Sequence, residues 1–182
     1  AVADAGADVQ ATEAPTAAPT EAPAEAPAAV AVGFKIDPAR SKVSFTLDEK
    51  LLGNPTTVVG VSSDLQGEIT FALADLSQTK IGALQINARD LKTDSSRRDG
   101  AISRFILQTT RDEFQYITFE PTAIEGLPAS AKAGETLTFK VTGNLKVRDV
   151  VKPVTFDTTA TLVSDTELSG TALASLMFGL ES

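Results

Sequence analysis

Two adjacent arginines, Arg97 and Arg98, and two adjacent carboxylates, Asp112 and Glu113, come nearest to chemistry in this 182-residue sequence. Guanidinium forks suit a phosphate or quinone oxygen. The same two arginines can instead sit solvated in a polar loop and pair with Asp94 or Asp99. Paired carboxylates can share acid–base work only if they converge, and neighbours on a strand point to opposite faces unless a turn intervenes. Asp94, Asp99 and Asp112 have the oxygen ligands calcium prefers, but their spacing matches no calcium loop. There is no histidine and no cysteine. A zinc site, a Ser-His-Asp triad, a thiolate nucleophile and a disulfide are therefore excluded. No catalytic constellation remains. The sequence predicts a protein that is not an enzyme and needs no cofactor or metal.

Charge and hydropathy narrow the partners. The formal net charge is −8, which argues against nucleic acid, a ligand that needs a basic face. No apolar run approaches the ~18 residues of a membrane-spanning helix. The first residue is alanine rather than methionine, as expected after removal of a signal peptide. An extracytoplasmic location, whether periplasmic, secreted or at the cell surface, is the corresponding expectation.

The elements that must position any site begin at Gly33. Residues 1–32 are mostly Ala, Pro, Thr and Glu, with Pro15, Pro19, Pro23 and Pro27 at a four-residue spacing. Proline lacks the N–H a helix needs and biases its predecessor toward extended geometry. The segment reads as a disordered, semi-rigid spacer, suited to tethering a domain at a surface. Residues 33–182 form the expected folded domain, and there the apolar period becomes two. Val43, Phe45 and Leu47 alternate with polar residues, as do Leu65, Gly67, Ile69 and Phe71. Longer runs follow from Leu137 to Val147 and from Val154 to Leu162. Such alternation marks strands with one apolar face. Further strands fit 81–88, 117–124 and 167–178, and residues 148–153 fit a tight hairpin. Only 95–110 breaks the pattern: Ile102, Phe105 and Ile106 are spaced for one short helix. The expected fold is all-β and antiparallel, with about eight strands and one short helical insertion. Pattern alone leaves a closed barrel and a two-sheet sandwich both open.

Several stretches go beyond pattern. Phe34-Lys35-Ile36-Asp37-Pro38, followed by Arg40-Ser41-Lys42-Val43-Ser44-Phe45, resembles the first strand of the YceI-like family. Gly60 with Gly67-Glu68-Ile69 is similar to its second block. Arg97-Arg98-Asp99, with Asp112 through Pro121, resembles its "R-D…F-F-D…Y-P-x-I-T-F" segment. Residues 143–154 resemble its "G-x-L-T-I-R-G-V-T-K-P-V" hairpin. The resemblance implies an extended, lipocalin-like antiparallel barrel that binds polyisoprenoid chains, including quinone-type lipids, in an exported protein. Three departures stand out. Arg40 replaces the family's usual first-strand histidine. Ala101-Ile102-Ser103-Arg104 stands where the family has "H-L-R-S". The closing strand, Leu176 to Ser182, is a shortened version.

The physics of an isoprenoid partner agrees with an enclosed apolar site. Burying an apolar chain is worth ~0.8 kcal/mol per methylene, so a long chain hardly enters water and a carrier must surround it. The expected cavity lining is Phe45, Leu47, Val61, Ile69, Phe71, Leu84, Ile86, Phe119, Phe139, Val141, Val147 and Phe156. Arg97 and Arg98 are the head-group candidates. The same apolar residues would equally make a solid core, giving a structural or adhesion domain displayed on the spacer. Pattern does not separate these two, and the oligomeric state stays open.

Overall fold

The computed structural model describes residues 31–51, 54–164 and 166–175. The expected spacer, apart from its last two residues, and the closing segment 176–182 lie outside them. Eleven strand segments run β1 (Ala31–Lys35), β2 (Val43–Leu51), β3 (Asn54–Ser62), β4 (Leu65–Gln66), β5 (Glu68–Ala72), β6 (Lys80–Ile81), β7 (Leu84–Asn87), β8 (Tyr116–Glu125), β9 (Thr136–Val147), β10 (Val150–Ser164) and β11 (Glu167–Leu173). Every pairing among them is antiparallel.

The strands form one curled meander with a hairpin laid against it. A six-stranded sheet has the order β11-β10-β9-β8-β7-β4, a three-stranded sheet the order β1-β5-β6, and β2 pairs with β3. Only Gly67 separates β4 from β5, and only Gly82-Ala83 separates β6 from β7, so the two larger sheets continue into one another. The Gly82 amide donates to the Glu68 carbonyl at 2.8 Å, carrying the ladder across the break. The β2–β3 hairpin joins through a bridge between Val61 and Lys92. The fold is the lipocalin-like antiparallel one, a curled half-barrel. The segments outnumber the roughly eight strands expected because bends at Gly67 and Gly82 divide two strands into four.

The longest pair shows why the chain folds this way. β9 buries Leu137, Phe139, Val141, Gly143 and Val147 at alternate positions. Its outward residues meet those of β10 in cross-strand pairs: Thr136 with Thr161 and Thr142 with Thr155, each at 2.9 Å, and Lys140 with Asp157 at 2.5 Å. Such pairs contribute a few tenths of a kcal/mol each. Most of the stability comes from the buried face. Two residues, Arg148 and Asp149, turn β9 into β10. Arg148 takes the left-handed conformation (φ 57°), which costs a non-glycine residue ~1–2 kcal/mol. Its side chain offsets this by donating to the Ile106 carbonyl at 3.0 Å and lying over the Phe114 ring.

One end of the half-barrel carries a cap. Ser95 caps a single short helix, α1 (Ser96–Ala101), which runs into a wide turn over Ile102–Ile106. There the Leu107 amide reaches back five residues to the Ile102 carbonyl at 2.8 Å. The helix expected in 95–110 is therefore half α-helix and half wide turn. This widening turns Phe105 and Ile106 outward while Leu107 stays buried. The expected strand over 81–88 is likewise reduced to Leu84–Asn87, because Gly82-Ala83 break it from Ile81 and its last residue enters a tight turn, Ala88–Asp90, on which the cap packs.

Candidate functional site

Register fixes which side chains share the inner face. Leu84 pairs with Phe119, Phe119 with Leu145, and Leu145 with Lys152. Ile124 pairs with Val141, and Val141 with Phe156. Phe139 faces Thr158, which faces Ala172; Leu137 faces Ala160, which faces Gly170. Apart from Lys152 and Thr158, these rows cross the sheet and, with Phe34, Ile69 and Phe71 from β1 and β5, form one apolar surface. A second cluster joins Val147, Ile117 and Phe45 to Ala88, Leu91 and Leu107 beneath the cap, and Leu145 packs against both.

Burial falls toward β11 along the two rows that end at Gly170 and Ala172. Phe139 is buried, Thr158 half-buried and Ala172 exposed; Leu137 and Ala160 are buried and Gly170 is exposed. Val141 is buried and Phe156 half-buried. The inner face is thus sealed at β9 and exposed on β11 at the small residues Gly170 and Ala172, between Leu168 and Ala174, which still pack against the cluster. Glycines elsewhere on this face let large side chains lie flat. A Cβ on Gly143 would come within 2.7 Å of the Phe119 ring, and Phe119 in turn sits edge-on to Phe156 at 4.9 Å between centroids. Gly60 lies under the Phe45 ring and Gly67 under Leu84.

Eleven of the twelve expected lining residues therefore take inward positions by register. Phe71, Phe119, Phe139, Val141 and Val147 are buried, and Phe45, Ile69, Leu84, Ile86 and Phe156 are half-buried. Leu47 shares the face of Phe45 by register but is 43% exposed. The inward position expected for Val61 is corrected: β3 buries Val58, Gly60 and Ser62, so Val61 lies on the opposite side and is 37% exposed. Val58, Val59 and Val61 occupy both parities, so alternation could not choose between them. Leu145, Ile117, Ile124 and Leu168 also line the face but were not singled out. All four stood within recognised strand runs.

The charged candidates do not converge. Arg98 pairs with Asp94 on α1's first turn, while Arg97 is exposed. Asp112 and Glu113 lie in a tight turn rather than on a strand. Asp112 accepts from Arg89 at 2.6 Å and Glu113 pairs with Arg111 at 3.6 Å, so they separate into two ion pairs. Arg89, not flagged in the sequence, is the residue that fixes this region: its guanidinium also donates to the Thr109 carbonyl and to Gln115. Arg40 is committed to Glu167 at 2.6 Å, linking the segment after β1 to the start of β11. Two shallow cavities are lined by Leu76, Thr79, Ile124 and Leu127 (≈ 340 Å³) and by Leu91, Lys92, Asp99, Ile102 and Arg104 (≈ 420 Å³). Neither reaches Phe71, Phe139 or Phe156. Among the described residues, no group of three or more acidic side chains is placed to hold a metal ion.

A sequence profile of the YceI-like domain matches residues 34–181. The chain belongs to the YceI-like family. Among solved structures, BcnA of Burkholderia cenocepacia is similar at 20% identity and a TM-score of 0.52, over 69% of this chain and 71% of that one. A polyisoprenoid binding domain from Saccharophagus degradans, implicated in plant cell wall breakdown, is similar at 15% identity and a TM-score of 0.52. That similarity covers 75% of this chain and 71% of that one. Comparison with curated proteins finds no match. At these identities the likeness is one of fold, and it agrees with the curled antiparallel meander of this YceI-like chain.

The cap of this YceI-like domain is held by a carboxylate. Asp99 accepts from the Thr93 hydroxyl at 2.6 Å and the Thr93 amide at 2.8 Å. These bonds, with Lys92 and Arg98 nearby, hold its carboxyl below the usual aspartate range. A depressed folded-state pKa means the stabilisation is complete above the unfolded value of about 3.9 and is lost as pH falls below it. Amide exchange over 93–107, corrected for intrinsic rates, is expected to accelerate from pH 5 to pH 3. Asp99→Asn should remove most of that acceleration; an unchanged pH dependence would show that Asp99 does not hold the cap.

Proposed function

We propose that the inner face holds a long apolar chain, an isoprenoid lipid, and that the protein is a binding or carrier module rather than an enzyme. The observation that carries this reading is the gradient along the rows: a continuous apolar surface, sealed at β9, stays open beside Gly170 and Ala172. A rigid cofactor would need converging polar groups to orient it. A flexible hydrocarbon needs only apolar wall and an open edge, and a chain passing from a bilayer to such a wall exchanges one apolar medium for another. Family membership supports the same class of ligand, as does the binding description of the Saccharophagus degradans domain with which the chain shares its fold. We place the protein outside the cytoplasm, in keeping with the exported members of the family it resembles, with residues 1–32 as a surface tether.

A second reading, a structural domain with a filled interior, has its own support. Phe71, Leu76 and Leu162 are at most 2% exposed, and the Phe119–Phe156 contact fills the middle of the face. Ligand length separates the two. For protein stripped of lipid, affinity is expected to rise at least about tenfold with each added isoprene unit, until the chain outgrows the face. Affinity that is absent, or flat with chain length, would favour the filled domain.

A further inference from the structure

The cap presents an apolar tip on a segment that also carries two exposed arginines. Along 96–107 the inward residues are Ile102 and Leu107, which pack on the second cluster. The outward residues are Arg97, Ala101, Arg104, Phe105 and Ile106. Phe105 is 72% exposed and Ile106 48%. A phenylalanine this exposed at the end of a turn contributes nothing to the core beneath it. The wide turn that presents it is also held in place. Arg148 donates to the Ile106 carbonyl at 3.0 Å, and the Ser103 and Thr109 hydroxyls bond each other at 2.7 Å.

The surrounding charge differs from that of the whole chain. The chain carries 24 acidic against 16 basic residues, whereas across 88–118 six cations stand against five anions. Four of the five carboxylates there are engaged, all but Asp90: Asp94 by Arg98, Asp99 by Thr93, Asp112 by Arg89 and Glu113 by Arg111. Among the described residues Arg97 and Arg104 have no ion pair. Arg104 adjoins Phe105 in sequence, Arg97 lies in the first turn of the same cap, and all three side chains are exposed.

We propose that this cap is a docking surface for a bilayer whose face carries anionic lipid. Phe105 and Ile106 enter the headgroup–acyl boundary while Arg97 and Arg104 meet the headgroup phosphates. An exposed apolar tip beside cations fits that interface, where apolar burial and attraction to anionic lipid add. The proposal goes beyond the carrier reading, because this exposure and charge are present whether or not the inner face holds a ligand.

The test is vesicle sedimentation with the full chain. Vesicles of phosphatidylcholine alone are compared with vesicles also containing phosphatidylglycerol, at low and high salt. The unaltered protein is expected to bind the mixed vesicles, more weakly in high salt, and to bind the neutral ones little. Replacing Arg97 and Arg104 with glutamine should weaken binding about fivefold per residue, and Phe105→Ser about tenfold. All three side chains are exposed, so the thermal midpoint should not move. If Phe105→Ser does lower the midpoint, the arginine pair decides alone. No binding to the mixed vesicles, or equal binding by the unaltered protein and the arginine variants, would overturn the proposal.

Discussion

Replacing Gly143 with valine is expected to destabilise the protein by about 3 kcal/mol or more, the upper end of overpacking costs. Even the first added carbon would meet the Glu120 carbonyl inside van der Waals contact and stand 2.7–2.8 Å from the Phe119 ring. The ring can swing away only by leaving its edge-on contact with Phe156, worth a further ~0.5–1.5 kcal/mol. The carbonyl cannot swing: it lies on β8, next to the irregularity between Pro121 and Ala123, where the register with β9 shifts. Relief therefore requires the two strands to part. For a domain of this size the loss corresponds to a fall of about 10 °C in thermal midpoint. Gly100→Ala is the matched control. A Cβ there meets nothing within 4 Å, and alanine in a helix is favoured over glycine by up to ~1 kcal/mol. Equal midpoints for the unaltered protein and Gly143→Val would mean that Phe119 does not lie across β9 as described.

The second large effect is on ligand content rather than stability. Ala172 faces inward by register with Thr158 and Phe139 but is exposed, because the β11 edge leaves the inner face open there. A tryptophan at this position has solvent to expand into and should cost little folding energy. Its indole would lie across the opening beside Phe156 and occupy the wall a hydrocarbon chain would use. Ala172→Trp is therefore expected to retain the thermal midpoint and lose most of its bound lipid. The site requires this separation of folding from loading, which a filled interior would not produce.

How much of this was legible in the sequence differs by element. β9 and β10 were readable because the long alternating runs from Leu137 to Val147 and from Val154 to Leu162 leave only one way to bury Leu137, Phe139, Val141 and Val154. The hairpin between them followed from the length of the intervening segment. The inner face was mostly legible for the same reason. Val61 was not, because β3 carries valines at both parities and its inward set is fixed by the contact of Phe45 with Gly60 across the hairpin. The cap was half-legible: the spacing of Ile102, Phe105 and Ile106 indicated a helix. The wide turn depends on Leu107 reaching back to Ile102 and on Arg148, some forty residues away, holding the Ile106 carbonyl. Asp112 and Glu113 show the same limit. Their neighbourhood in sequence suggested a pair, and a tight turn directs them to different arginines. The opening at β11 had no sequence signature beyond the small residues Gly170 and Ala172, because exposure of an edge is a property of the whole sheet.

The central claim, that the inner face carries an isoprenoid chain, is tested most directly by native mass spectrometry of gently purified full chain, followed by lipid extraction. The account predicts a bound mass on the unaltered protein that extracts as an isoprenoid, and its loss from folded Ala172→Trp. Unaltered protein that flies bare, and that takes up no isoprenoid when one is supplied, would contradict the claim and leave a filled structural domain in its place.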